Sequence, residues 1–243
     1  VQTCALPIYR GRIRRVKIYM TDIVPFGDEK IFAQMLPFIT EDRKNKIMQL
    51  KKKEDRCRSL AAGLLLEYAL REYGISLLPG KMQQMYLRFG EKGKPVLNGK
   101  TGIHFNLSHS GRYVAGVFSD EEVGIDVEQI RKGQMKVAER FFCPEEYLAL
   151  QKGKMKKADC YFTELWTRKE SYIKAVGKGM ALDLASFCVL QDQVKFLKAG
   201  QTGEWYLQSY DPASGYILSV CAKKCTKCEI QWISKEMFTQ KFI

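Results

Sequence analysis

Histidine is nearly missing: His104 and His109 are the only two among 243 residues. That excludes the zinc sites built from several imidazoles. Long apolar runs are absent too. The longest, such as Leu60–Leu66, are interrupted by glycine or charge and fall far short of the roughly 18 residues that span a bilayer. Eight cysteines are too few and too scattered for a disulfide scaffold in a chain of this length. Cys221, Cys225 and Cys228 stand close together but lack a second Cys-x-x-Cys, so they read as strand and loop thiols. No secretory leader is evident, and a reducing cytoplasm is the expected compartment. Acidic residues are scarce beside basic ones, 27 against 40, which leaves a formal charge of +13. The partner of such a chain is anionic: nucleic acid, a membrane surface, a phosphate-rich small molecule or an acidic protein.

What is present is ordinary for a globular protein, with 46% hydrophobic and 28% charged residues. Val1–Ile8 match a translated sequencing adaptor and are expected to be foreign to the fold. The alternation Val16, Ile18, Met20 suits a first strand. Thr40 is placed to cap a helix, and a second helix runs from about Lys53 to Tyr73, where Gly74 stops it. A short strand is expected around Tyr86–Phe89. Phe105-Asn-Leu-Ser-His-Ser reads as a strand entering a loop. Tyr113–Phe118 and Val123–Ile130, joined by a turn, read as a hairpin. Helices follow over Lys136–Phe142, from Cys143 with Pro144 in the first turn, and over Thr163–Val176; short strands and turns fill Leu182–Ile233. Both halves run helix then strands. The expected fold class is α+β, with two similar halves, residues 9–127 and 128–243, meeting near the middle of the chain.

Val123-Gly-Ile-Asp-Val-Glu carries the first candidate chemistry. Alternate side chains on a strand share a face, so Asp126 and Glu128 point together. Carboxylates at that spacing repel unless a cation separates them, and oxygen ligands suit magnesium; the alternative is a solvated hairpin face. In Trp166-Thr-Arg-Lys-Glu-Ser-Tyr-Ile-Lys-Ala, Glu170 and Lys174 share a helix face. Alone they are an ordinary surface pair, and they gain interest only if Glu170 completes a three-carboxylate site. His109, flanked by Ser108 and Ser110, suits an anion contact or an idle loop. Arg43-Lys-Asn-Lys, Lys51-Lys-Lys, Arg56, Arg58 and Lys92-Gly-Lys-Pro offer a phosphate pocket or a solvated face. No Walker-type loop is present, because Gly177-Lys-Gly follows a helix instead of opening one.

In order along the chain, Gly93-Lys-Pro, Phe105-Asn-Leu-Ser-His-Ser, Val123-Gly-Ile-Asp-Val-Glu, Arg140-Phe-Phe and the Trp166–Met180 segment resemble the 4′-phosphopantetheinyl transferase superfamily in its long, surfactin-synthetase-activating type. The resemblance covers about residues 16–235, and Asp-x-Glu with Trp-x-x-Lys-Glu-x-x-x-Lys at this separation is its specific part. It implies a pseudo-dimer of two α+β halves with coenzyme A in the cleft between them. Asp126, Glu128 and Glu170 would hold magnesium, or manganese in its place. Ser108 and His109 would meet the 3′-phosphate end of coenzyme A, with Lys94 and Pro95 of the Gly93-Lys-Pro loop. Arg43, Lys46 and Ser59 would add phosphate or adenosine contacts, Arg43 and Ser59 standing where the best-known members have Lys and Thr. Lys174 would touch the pyrophosphate. Glu146 occupies a position associated with carrier binding or base function. The implied reaction moves phosphopantetheine to a serine of an acidic acyl or peptidyl carrier protein, with Glu170 taking the serine proton directly or through water.

Two rivals compete with this reading. A nucleic-acid-binding protein would interleave basic and aromatic residues on one strand face, and no stretch does so. A family member without activity, serving as a carrier- or coenzyme A-binding module, would have no need of three carboxylates that can converge. Two halves in one chain make the cleft without a second copy, so a monomer is expected, with no membrane and no nucleic acid.

Overall fold

A computed structural model describes residues 16–76, 87–90, 93–97, 101–152, 155–198, 203–224 and 227–243. The leader Val1–Ile8 and Cys225 lie outside them. The first half begins with β1 (Lys17–Asp22), followed by α1 (Glu29–Met35), α2 (Glu41–Gln49) and α3 (Lys53–Glu72). Next come β2 (Leu87–Phe89), β3 (Pro95–Leu97), β4 (His104–Ser110), β5 (Tyr113–Ser119) and β6 (Val123–Gln129). The second half continues with α4 (Met135–Phe141), α5 (Pro144–Lys152) and α6 (Met155–Val176). The chain closes with β7 (Phe187–Cys188), β8 (Lys195–Phe196), β9 (Tyr206–Tyr210), β10 (Tyr216–Ala222), β11 (Ile230–Trp232) and α7 (Lys235–Phe242). The class is α+β.

Two sheets form the frame, one ordered β11-β1-β5-β4 and the other β6-β10-β9. They stack between two long helices. Tyr19, Phe105, Val114 and Phe118 face α3 and its buried run Leu60–Leu70. From the opposite face of the same sheet, Ile18, Met20, Ala115 and Val117 meet Ile125, Val127, Leu218 and Val220 of the second. The outer face of that second sheet is covered by α6. Side chains this size, fully enclosed, contribute roughly 1.5–3 kcal/mol each before conformational entropy is charged against them.

Local signals set the ends of these elements. Thr40 Oγ1 accepts from Arg43 N at 3.1 Å, as a capping threonine should. Gly74 takes φ +69° just past α3, and the N–H groups of Tyr73 and Gly74 return to Leu70 and Arg71 carbonyls. Helix α6 sits so close to β6 that a Cβ on Gly124 would stand 2.0 Å from the Ser171 carbonyl oxygen and 2.4 Å from Ala175 N. Only glycine fits there, and the whole approach of α6 to the site strand depends on it.

Three expectations are revised. The hairpin of Tyr113–Phe118 with Val123–Ile130 does not form: β5 pairs with β1 and β4, whereas β6 leaves for the second sheet and pairs with β10. A close turn between alternating segments does not fix their register, and the apolar layer between the sheets is buried better by separating them. Helix α6 starts at Met155, eight residues ahead of Thr163. The final segment β11–α7 returns to the first half, where Ile18–Met20 pair in parallel with Ile230–Trp232 and Phe238 enters the α3 core.

Candidate active site

The site grows from the seam where the two sheets meet edge to edge. Strand β4 is the last strand of one sheet and β6 the first of the other. Their backbones do not pair. Instead, side chains of β4 accept the orphan N–H groups of β6: Ile125 N donates to Asn106 Oδ1 at 3.0 Å, Val127 N to Ser108 Oγ at 3.4 Å and Gln129 N to Ser110 Oγ at 3.1 Å. Buried backbone donors need partners, and three polar residues at a period of two supply them here. The same hydroxyls turn their protons to the β6 carboxylates. Ser108 Oγ donates to Asp126 Oδ1 at 2.8 Å and Ser110 Oγ to Glu128 Oε2 at 2.6 Å.

Asp126 and Glu128 therefore point away from the sheet–sheet layer, toward α6, as their alternation requires. The solvated-face reading fails for Asp126, which is buried. From α6, Lys174 reaches the same point, its Nζ 2.6 Å from Asp126 Oδ1 and 3.1 Å from Ser108 Oγ. Glu170 stands one turn earlier, half-buried. Desolvation raises its pKa, and the charge on Asp126 adds to that rise, then that on Glu128, with Lys174 opposing. Glu128 is raised as well, first by desolvation, with Ser110 pulling the other way and Asp126 pushing up. Asp126 Oδ2 is buried and has no hydrogen-bond partner. An orphaned carboxylate oxygen among carboxylates that destabilise one another's charge is the setting a hard divalent cation suits, since all the donors are oxygen. The three carboxylates are not drawn into a tight set: among the described residues, Cys143, Glu146 and Cys188 alone bring three ligand atoms within 4.8 Å of one another.

Two family models cover most of the chain. The 4′-phosphopantetheinyl transferase superfamily matches residues 122–221, and 4′-phosphopantetheinyl transferase, N-terminal, matches residues 27–121. A 4′-phosphopantetheinyl transferase of Bacillus subtilis is 33% identical over 218 residues, 87% of this chain and 93% of that protein. The chain belongs to the 4′-phosphopantetheinyl transferase superfamily. The transferase psf-1 of Bacillus pumilus is 31% identical over 220 residues, 88% of this chain and 93% of its own length. The transferase Sfp of Bacillus subtilis (strain 168) is 35% identical over 196 residues, 78% and 84% respectively.

Within this phosphopantetheinyl transferase, the residues expected at coenzyme A separate into two groups. His109 lies on the α3 face of β4, exposed, with Arg58 and Asp55 as charged neighbours; desolvation of the ring, then Arg58, lowers its pKa. Arg43 Nη1 donates to the Ser59 carbonyl at 3.3 Å, and a Cβ on Gly63 would strike Arg43 Cδ at 2.6 Å. Ser59 Oγ is buried without a partner, and Lys46 is exposed on α2. Arg43, Ser59 and His109, with Arg58, flank the first turns of α3, and Lys46 follows Arg43 by three residues on α2. Arg58 was visible in the sequence only as one of several basic residues. Its nearness to His109 depends on the fold.

Lys94 and Pro95 lie elsewhere. Lys94 Nζ donates to the carbonyls of Lys174 at 2.5 Å and Ala175 at 3.1 Å, capping the end of α6, and burial takes its pKa down to about 8. Pro95 opens β3, opposite Phe89. Ser108 faces Asp126 and Lys174, on the opposite side of β4 from His109, because neighbours on a strand point to opposite faces.

Glu146 is the clearest correction. It is fully buried, 2.8 Å from the equally buried Lys169 Nζ. Its oxygens also accept from Cys143 N at 3.0 Å and Val189 N at 2.8 Å. Lys169 Nζ in turn donates to the Leu184 and Phe187 carbonyls. A carboxylate so enclosed and so fully bonded cannot meet a carrier or take its proton. It holds α5, α6 and the β7 segment together.

Proposed function

We propose that the seam site transfers the phosphopantetheine arm of coenzyme A to a serine of an acyl or peptidyl carrier protein. The observation that carries this reading is the Lys174–Asp126 ion pair at the seam of the two sheets, with Asp126 Oδ2 left unpartnered and Glu128 and Glu170 near enough to feel the Asp126 charge. Asp126, Glu128 and Glu170 would hold magnesium or manganese, which when bound neutralises charge on the pyrophosphate oxygens.

The chain's own groups do the rest. The bond that forms joins the serine Oγ to the β-phosphorus, and the bond that breaks releases 3′,5′-adenosine bisphosphate. Glu170, its affinity for a proton raised by burial and by Asp126, accepts the serine proton. Lys174 is positioned to take the charge of the departing phosphate, exchanging its Asp126 contact for the substrate. Arg43, Arg58 and His109 offer donors for the 3′-phosphate end, with Lys46 and Ser59 on the same flank. The excess of 13 positive charges favours both coenzyme A and an acidic carrier.

A cleft of about 270 Å³ opens beside Glu128, between α4 and α6, lined by Arg131, Val137, Phe162 and Trp166. With Met135, next in the chain to the lining residue Gln134, exposed at the start of α4, it suits the carrier's approach. Among the described residues no helix is long and apolar enough to cross a membrane. A monomer working in the cytoplasm completes the reading.

Release of 3′,5′-adenosine bisphosphate, measured by chromatography with an apo carrier present, tests it. Release equal to the carrier supplied, and none with a carrier whose serine is alanine, is expected. Coenzyme A binding without any release would turn the reading to a binding module.

A further inference from the structure

Cys143 and Cys188 have no part in the transfer reaction. Cys143 immediately precedes α5, and Cys188 ends β7. Their Sγ atoms and one Glu146 oxygen lie mutually within 4.8 Å, all three residues buried. A metal is one use of such a trio, but the surroundings oppose it. Glu146 already accepts from Cys143 N, Val189 N and Lys169 Nζ. An incoming divalent ion would also meet the Lys169 ammonium, fixed 2.8 Å from Glu146.

The two thiols remain available to each other. Hydrogen bonding from the Cys143 thiol, and then from the Leu190 N–H, favours the Cys188 thiolate, against the burial that opposes it. Those donors bring the Cys188 thiol down to about 7. The partner that donates is held above the usual thiol range by that bond and by burial. The ladder covering Cys188 is only two pairs long, Phe187 with Phe196 and Cys188 with the exposed Lys195, so the sulfur lies one strand from the surface.

We propose that Cys143 and Cys188 are a dithiol that hydrogen peroxide closes to a disulfide. The Cys188 sulfur attacks one peroxide oxygen and the O–O bond breaks. Hydroxide leaves, gains the Cys188 proton and departs as water, with sulfenic acid on Cys188. Cys143 Sγ then attacks that sulfur; the S–S bond forms, the S–O bond breaks, and a second water carries away the hydroxyl and the Cys143 proton. Two thiols lose two electrons and one peroxide gains them. The product fastens the start of α5 to β7 beside Lys169, the residue preceding Glu170 on α6.

The test uses the whole chain with and without hydrogen peroxide. It is then denatured in excess N-ethylmaleimide, digested with trypsin and mapped by mass spectrometry. The expected product is one peptide pair joined through Cys143 and Cys188, released by dithiothreitol. The unfolding midpoint of the oxidised protein should rise by about 5 °C, a gain that C143A and C188A lose. The map of the wild-type chain decides the matter even if a variant fails to fold. Oxidation confined to the exposed Cys160, with Cys143 and Cys188 both alkylated, overturns the proposal. So does a bond from either residue to another cysteine, or one tightly held zinc per chain that C143A releases.

Discussion

Lys174 Nζ stands 2.6 Å from Asp126 Oδ1, so the last turn of α6 and the middle of β6 share one ion pair at the seam of the two sheets. Asp126 is buried and Lys174 about a third exposed, so the pair is partly screened from water. Asp126→Asn keeps the shape and both hydrogen-bond partners but removes the charge. Transfer should fall by about 100-fold or more, while urea unfolding shows a loss of only about 1–2 kcal/mol. A variant with the parent's rate would remove Asp126 from the chemistry.

Glu146 and Lys169 predict the opposite balance. Lys169→Met leaves a carboxylate buried without its cation, at a cost of about 3–5 kcal/mol in a urea titration. Adding Glu146→Leu should restore most of that loss and leave the rate per folded molecule close to the parent's. Stability without recovery in the double variant, or a rate that collapses while the fold holds, would return Glu146 to the site.

His109 is exposed on the α3 face, apart from the carboxylates. His109→Ala should raise the KM for coenzyme A about tenfold with kcat little changed. With dephospho-coenzyme A the variant and the parent should behave alike. An unchanged preference for the 3′-phosphate would place that phosphate elsewhere.

Glu128 and Glu170 hold their protons more tightly in the folded chain than in the unfolded one, chiefly because they are desolvated. The stability this supplies is full below the unfolded value near 4.3 and is lost as pH rises through the folded values. A divalent cation offsets that loss once the carboxylates ionise. Magnesium should therefore raise the unfolding midpoint by a few degrees at about pH 8 and leave it unchanged at about pH 4, with EDTA reversing the gain. Equal shifts at both values would place the ion away from these residues.

Helix α3, the last part of α6, the Thr40 cap, the Gly74 stop and the facing of Asp126 with Glu128 were all legible, because each follows from spacing within one segment. The seam was not. Asn106, Ser108 and Ser110 look like a polar strand end, and only β6 lying alongside shows them replacing a backbone ladder. Glu146 and Lys169 are 23 positions apart, and nothing local marks either as buried. Helix α7 was missed although Ser234 caps it and Phe238 and Phe242 repeat at helical spacing. Its packing partner, α3, lies at the other end of the chain.

The most direct test is the intact mass of an apo carrier protein incubated with the enzyme, coenzyme A and magnesium, beside an EDTA control. A gain of one phosphopantetheine group on the carrier is predicted, lost with EDTA and lost with Asp126→Asn. An unmodified carrier, from several unrelated sources and with a folded enzyme that binds coenzyme A, would contradict the account.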